Sequence, residues 1–525
     1  MRFHRLVLAS CVVSAVALSA CGAQPQGEGE GEAVASTASA VSIQKSYPRK
    51  IYVHVMPWFQ VGGQHWSMNA RNPDSGVASW YVPMIGEYNS NDGNVIEYQL
   101  LTMKYAGIDG VLIDWPGLNG GYDRPQNKAN SDAIIGRTAQ FGMEFGVCYE
   151  DQYADSVDAA KADMVYVRDN FFSKPNHIKV NGANALLVFG PQKFKNAGDW
   201  SNILSVFSSK PQFFPLWYND SAGANATGKF AWIAQNGLKG VSDFDSGLDG
   251  VDHGLKIPVI YPGFNPFYAA GGWPGPTWKV SYGLTQDNVE GGDTMSSSFE
   301  LGKYAGEPLQ IATWNDYGEG TMIEPSTQGK AGAGFGYRFL MQLQKSVGAV
   351  YTDAELKIVK MLYDQRKQFG ASKQADLDTA STALANLDVA KACTILGCTA
   401  PVHAGGGGAT GAGGATSAGG APGSAGAPSN HGGAPQAGGG APASGGSTGS
   451  PGGASSAAGS PPAGGGASAS AGSANGAGTD DGGGMSGIGS CSVRAAGSTA
   501  PAPTALLFAV GALAVGALRR RRERH

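Results

Sequence analysis

Eight short apolar stretches, separated by helical or looped segments, constrain this chain most. They occupy residues 51–59, 108–115, 144–149, 185–189, 212–218, 230–233, 258–261 and 309–314. Each has the length and apolar content of a strand. Between them, apolar residues recur at helical spacing. Val95, Ile96, Leu100, Leu101 and Met103 make one such pattern, with Asp92 placed to cap its start and Gly107 to end it. Residues 156–173 and 335–347 read as further helices. This alternation predicts an α/β fold, a (β/α)8 TIM barrel, with an open doubly wound sheet as the alternative. Polar and aromatic residues gather just after the strands, where such barrels keep their active sites.

The rest of the 525 residues is arranged around that core. The chain has 81 glycines, concentrated in residues 401–490, which are nearly all Gly, Ala, Ser and Pro. A segment of that composition has no core to bury and reads as a disordered tether. All ten tryptophans fall between Trp58 and Trp314. The expected organisation is an export signal at 1–21, a spacer at 22–45, the barrel at 46–350, a few closing helices at 351–400, the linker at 401–490 and a C-terminal sorting or anchor segment at 491–525. A formal charge of −4 gives no reason to expect nucleic acid as a partner.

Both ends carry targeting features. Arg2, His4 and Arg5 precede an apolar run that ends Leu18-Ser19-Ala20-Cys21. That ending resembles a bacterial lipobox, which implies a lipidated Cys21 as the mature N-terminus. Near the other end, Cys491 is followed by an apolar run over 506–518 and then Arg519, Arg520, Arg521 and Arg522. The run is short for a permanent membrane span. It resembles the C-terminal sorting signal of myxobacterial surface proteins. Both features place the barrel in the cell envelope at the outer surface, held to the membrane by lipid or a C-terminal anchor. An exported protein permits a disulfide between Cys393 and Cys398, while Cys148, in an apolar run, reads as a buried free thiol.

The chemistry concentrates in residues 311–324, Ile-Ala-Thr-Trp-Asn-Asp-Tyr-Gly-Glu-Gly-Thr-Met-Ile-Glu. An apolar strand runs into Asn315, Asp316, Tyr317, Gly318 and Glu319. Two carboxylates three residues apart at a strand end are the equipment for splitting a glycosidic bond: one protonates the leaving oxygen, the other acts as base or nucleophile. Glu319 follows Trp314 and Tyr317 closely in sequence, and apolar surroundings would raise its pKa as an acid requires. Asp316 is the second carboxylate.

Four stretches resemble glycoside hydrolase families 71 and 99: His65-Trp66, residues 85–92, residues 106–115 and Trp314-Asn-Asp-Tyr-Gly-Glu-Gly-Thr321. The resemblance spans about residues 48–345. Family 99 cleaves internal α-mannosidic bonds and usually has Asn-Glu-Trp-His-Glu-Gly-Thr at the last of these sites. Family 71 cleaves α-1,3-glucan and has Asn-Asp-Tyr-Gly-Glu. This chain has the family 71 acids followed by Gly320-Thr321, as in family 99. The resemblance implies Asp316 and Glu319 as the catalytic pair.

The remaining candidates are for substrate binding. Asp114 and Trp115 end the second strand and Glu150 ends the third, where each can meet sugar hydroxyls or a ring face. His65, Trp66, Tyr88, Trp217, Tyr218, Trp314, Asn315 and Tyr317 are candidates to line sugar subsites, with core packing the competing reading for each aromatic. His54, inside the first strand, reads as an interior histidine. Asp243, Asp245, Asp249 and Asp252 are spaced like a calcium loop, but Gly254 stands where a bidentate Glu is needed. No metal or cofactor is expected. The chain thus reads as a surface-tethered hydrolase of an α-linked glucan or mannan, with a poly- or oligosaccharide partner. A non-catalytic carbohydrate-binding protein on the same barrel is the alternative.

Overall fold

The computed structural model describes residues 41–118, 124–217, 220–248, 254–283, 293–327 and 335–403. The export signal with Cys21, nearly all of the linker, the C-terminal segment, Tyr218, Asp249 and Asp252 lie outside the described residues. The strands are β1 (Ile51–Val55), β2 (Val82–Pro83), β3 (Gly110–Trp115), β4 (Glu144–Tyr149), β5 (Lys179–Val180), β6 (Ala183–Val188), β7 (Gln212–Pro215), β8 (Gly228–Phe230), β9 (Leu255–Ile257), β10 (Val259–Ile260), β11 (Leu309–Ile311) and β12 (Ser326–Thr327). The α-helices are α1 (Gln64–Ser67), α2 (Gly93–Tyr105), α3 (Arg124–Thr138), α4 (Val157–Tyr166), α5 (Ala197–Ile203), α6 (Leu238–Ser246), α7 (Asp293–Gly302), α8 (Arg338–Val347), α9 (Asp353–Phe369), α10 (Gln374–Ala385) and α11 (Val389–Leu396).

Seven strands run parallel in the spatial order β10–β11–β1–β3–β4–β6–β7, and the short β5 joins β6 antiparallel. Past β7 the contact continues through a parallel bridge between Leu216 and Phe230, and β8 pairs in parallel with β9. Pro258 separates β9 from β10: it has no N–H for a ladder, although its carbonyl still accepts from Gln310 N at 3.1 Å. Several strands are shorter than the apolar stretches that announced them. The expected strand at 230–233 leaves the ladder after Phe230, although Ala231 N still donates to Ile257 O at 3.1 Å.

Residues opposite one another in a parallel ladder point to the same face. The registers place His54, Leu112, Leu187, Phe214, Phe230 and Gln310 together on the inner face. His54 Nε2 and Gln310 Oε1 are 2.5 Å apart, and the His54 ring meets Trp232 edge-on at 4.7 Å. Burial lowers the His54 pKa to about 4, so this interior histidine is neutral.

On the outside, α2 begins as its sequence indicates. The Asp92 carboxylate accepts from Asn94 N at 2.8 Å and Val95 N at 3.4 Å, and Gly107 takes a φ of +89° where the helix ends. The helix expected over 156–173 is α4 followed by a π-helical turn at Val167–Phe171. Helices α9, α10 and α11 share one hydrophobic core with the strands. They also bond to α2. Arg366 pairs with the buried Glu97, with Nη2 2.8 Å from Oε1, and Ser381 Oγ donates to the same oxygen at 2.6 Å. The buried Lys104 ammonium donates to the carbonyls of Phe141 and Ala385 at 2.8 and 2.6 Å. Cys393 and Cys398 form a disulfide at the end of α11, with Cα atoms 4.6 Å apart. Among the described residues, no helix is long and apolar enough to cross a membrane.

Candidate active site

After β11 the chain turns through residues 312–324 and closes on itself. Thr313 N donates to Thr321 O at 3.0 Å, and Ile323 N and Glu324 N donate to Trp314 O at 3.1 and 2.9 Å. Within the turn, Asp316 N donates to Thr313 Oγ1 and Glu319 N donates to Asp316 Oδ1, both at 2.9 Å. The segment after β10 lies against it: Asn265 N donates to Glu319 O at 3.0 Å and Phe267 N to Gly318 O at 2.8 Å. Gly320 has a φ of +68°, and a Cβ there would stand 2.7 Å from Asn265 O, so no other residue fits without movement.

This geometry buries both acids, each only 1% exposed. Asp316 Oδ2 and Glu319 Oε2 accept no hydrogen bond from the described residues. Burial raises the Asp316 pKa to about 7, opposed by the backbone N–H groups of Glu319 and Gly318. Glu319 is pushed well above the usual carboxylate range, first by burial and then by the Asp316 charge; the Tyr268 hydroxyl, donating to Oε1 at 3.3 Å, opposes this. The two environments therefore separate the pair into a more readily ionised Asp316 and a proton-holding Glu319.

Asp114 and Glu150 extend the acid cluster. Asp114 pairs in register with Cys148 across β3 and β4, and Glu150 follows two residues later on the same face. Burial, then the charge of Glu150, then that of Asp316 raise Asp114 well above its ordinary value, and Glu319 adds to this. Cys148, behind the two acids, is a buried free thiol whose pKa burial raises well above normal.

The other candidates separate into groups. Asn315 clamps the end of β1, its Oδ1 accepting from Met56 N at 2.8 Å and its Nδ2 donating to Met56 O at 3.0 Å. Tyr317, Trp314 and Trp66 are fully buried; Trp66 packs on Phe59 at 4.2 Å and on Tyr317 and Tyr88 at 5.3 Å, and its indole N–H donates to Tyr88 O at 3.0 Å. Its ring supports the turn from behind. Trp115 is not brought to the acids. Strand alternation turns it to the outer face, against Tyr149, Tyr166 and Phe171. His65 stacks on Trp58 at 4.8 Å and meets Trp273 edge-on at 5.6 Å, a half-buried aromatic group. Trp217 follows β7 with a φ of +51° and packs edge-on against Phe244 at 5.7 Å. In the acidic segment, Lys239 pairs with Asp243 at 2.6 Å, and among the described residues no cluster of His, Cys, Asp and Glu could hold a metal ion.

Sequence reasoning passed over three residues at the site. Glu324 is buried, with no cation paired to it among the described residues: Oε2 accepts from Tyr88 OH and Tyr317 OH, both at 3.0 Å, and Oε1 accepts from Gln99 Nε2 at 2.9 Å. Burial raises its pKa to about 7 against those hydrogen bonds. Trp232 and Tyr261 each stand two residues beyond an inward-facing strand residue, Phe230 and Val259, so alternation continued past the strand end would have found them.

No protein-family model matches the chain. A stretch of 173 residues is 20% identical to the glycoprotein endo-alpha-1,2-mannosidase of Xenopus laevis, covering 30% of this chain and 38% of that protein. The chain therefore spans well under half the length of this curated relative. Among solved structures, it is similar to an endo-alpha-mannosidase of glycoside hydrolase family 99 from Bacteroides thetaiotaomicron, with a TM-score of 0.45 and 16% identity over 59% of this chain and 98% of that one. A glycoside hydrolase-like protein gives a TM-score of 0.45 at 11% identity, over 59% of this chain and 97% of the other.

Proposed function

We propose that this protein is a glycoside hydrolase of an α-linked glucan or mannan, built on a closed (β/α)8 barrel, with Glu319 as general acid and Asp316 as base or nucleophile. The observation that carries this reading is the buried pair in the 312–324 turn. Each acid keeps one oxygen without a hydrogen-bond partner among the described residues, and their surroundings favour the proton on Glu319. Glu319 then protonates the leaving oxygen while ionised Asp316 assists attack at the anomeric carbon. The sequence likeness to an endo-alpha-1,2-mannosidase supports a glycosidase and leaves the linkage open. Parallel pairing from β7 through the 216–230 bridge, β8, β9 and β10 to β11 supports barrel closure. The lipobox-like and sorting-like ends support a protein tethered at the outer surface of the cell envelope.

The test is hydrolysis of a panel of α-mannans and α-1,3-glucans by the parent and two variants. Glu319→Gln keeps the shape but removes the transferable proton, and should lose about 100- to 10,000-fold on an unactivated glycan. A substrate with a good leaving group should lose less. Asp316→Asn should impair both. Folded variants with the parent rate overturn the assignment, and binding without turnover in the parent favours the carbohydrate-binding alternative.

A further inference from the structure

We propose that the Trp232 indole N–H and the Tyr261 hydroxyl are specificity-determining hydrogen-bond donors that hold hydroxyls of a neutral hexose beside the acid cluster. This rests on the reading of residues 312–324 as a carbohydrate site and goes on to name two residues that select the sugar.

Three observations carry the argument. First, placement: Leu216 bridges Phe230, and Val259 pairs with Gln310, so both register partners lie on the inner face. Two residues further along, Trp232 and Tyr261 return to that face at the end where Asp114, Glu150, Asp316 and Glu319 gather. The Trp232 ring meets His54 at 4.7 Å and Phe189 at 5.0 Å, both edge-on, which fixes its orientation on the inner face of the sheet. Second, satisfaction: both side chains are buried, Trp232 2% exposed and Tyr261 0%, yet neither Nε1 nor Oη has a hydrogen-bond partner among the described residues. A buried donor without an acceptor is costly, and most buried polar groups are paired, so two such donors at the same end of the sheet call for a ligand that accepts from them. Third, charge: Asp114 is raised first by burial and then by the charges of Glu150, Asp316 and Glu319, so negative charge is concentrated at this end. No lysine or arginine stands with them at the inward-facing strand ends just named. A uronate, sulfate or phosphate could accept from Trp232 and Tyr261, but its charge would lie against the carboxyl cluster with no cation at those strand ends to offset it. Neutral hydroxyls can donate to the acids and accept from Trp232 and Tyr261.

The experiment measures binding, so that it does not depend on turnover. In the Glu319→Gln background, calorimetry follows oligosaccharides of α-mannan and of α-1,3-glucan, together with their singly deoxygenated analogues and a uronic-acid oligosaccharide. Tyr261→Phe and Trp232→Phe are then added one at a time, with circular dichroism to check folding. The expected result is a loss of roughly 10- to 100-fold in affinity for each variant on the neutral glycan. One deoxy analogue should lose as much with the unaltered residue and nothing more with the variant. The uronic-acid oligosaccharide should not bind. Three results overturn the proposal: folded variants that bind as tightly as the background, a loss equal on every analogue, or no binding of either neutral glycan. If Trp232→Phe fails to fold, Tyr261→Phe, which removes one oxygen, decides alone. Coupled losses together with no hydrolysis by the parent leave the proposal standing and refute the hydrolase reading.

Discussion

Replacing Glu324 by leucine should both destabilise the fold and displace the acids. The side chain accepts from Tyr88, Tyr317 and Gln99, all inside the protein. Each donor left without an acceptor costs about 1–3 kcal/mol. The two tyrosine hydroxyls can rotate, and Tyr88 OH already accepts from Asn315 Nδ2 at 3.0 Å, so part of the loss is recovered. A net cost of about 3–5 kcal/mol follows. For roughly 350 structured residues, an unfolding entropy of about 2.1 cal/mol/K per residue converts this to a fall of about 4–7 °C in Tm. Tyr317 lies between Asp316 and Glu319, so releasing its hydroxyl loosens the turn that aims both. A shift of about 1 Å there lowers turnover roughly 100-fold. Glu324→Gln should do much less: it keeps the volume and one acceptor, and the Gln99 amide can turn to present its oxygen. Calorimetric melting and glycan hydrolysis read the two effects. A leucine variant that melts and turns over like the parent refutes the idea that this carboxylate holds the turn.

Asp316 sets a pH dependence of two kinds. Its native pKa of about 7 stands above an unfolded value near 4, so its contribution to stability is full below about pH 4 and is lost as pH rises through about 7. Asp316→Asn should therefore match the parent in Tm near pH 4 and exceed it above pH 7; a constant difference refutes this. Under the proposed roles, hydrolysis needs Asp316 ionised and Glu319 protonated, so the rate should fall as pH drops below about 7 and fall again where Glu319 ionises, whereas a flat profile counts against the assignment. Arg366→Met leaves Glu97 buried without its main partner and should cost about 3–5 kcal/mol in thermal unfolding; an unchanged melt at low salt contradicts it. Limited proteolysis should cut within 404–490 and release an active fragment, and mass spectrometry of the mature protein should find lipid on Cys21; loss of activity on release, or an unmodified N-terminus elsewhere, overturns the respective expectation.

The strand–helix alternation was legible because strands in this sheet are apolar along their length, and Asp92 and Gly107 mark the ends of α2 as capping chemistry requires. The acid pair was legible as well, because a strand running into two carboxylates is a local pattern. What escaped depends on distant partners. Glu324 lies in the same segment as Asp316, but its meaning comes from Gln99, some two hundred residues earlier, and no local pattern records that contact. Trp115 was grouped with Asp114 by adjacency, although neighbouring residues on a strand face opposite ways. The same rule, continued beyond Phe230 and Val259, leads to Trp232 and Tyr261.

The seating of α9–α11 on α2 sets where this protein can be cut and joined. Glu97 and Lys104 face the C-terminal helices, while Gln99 of the same helix reaches Glu324 in the 312–324 turn. A chimera spliced at residue 350 would expose a carboxylate and an ammonium that water does not reach here, and would loosen the helix that steadies the acids. The serviceable joint lies past His403, whose ring nitrogen meets Glu355 at 2.6 Å. A transplanted unit beginning near residue 46 therefore has to carry its last three helices with it, with the joint placed beyond residue 403.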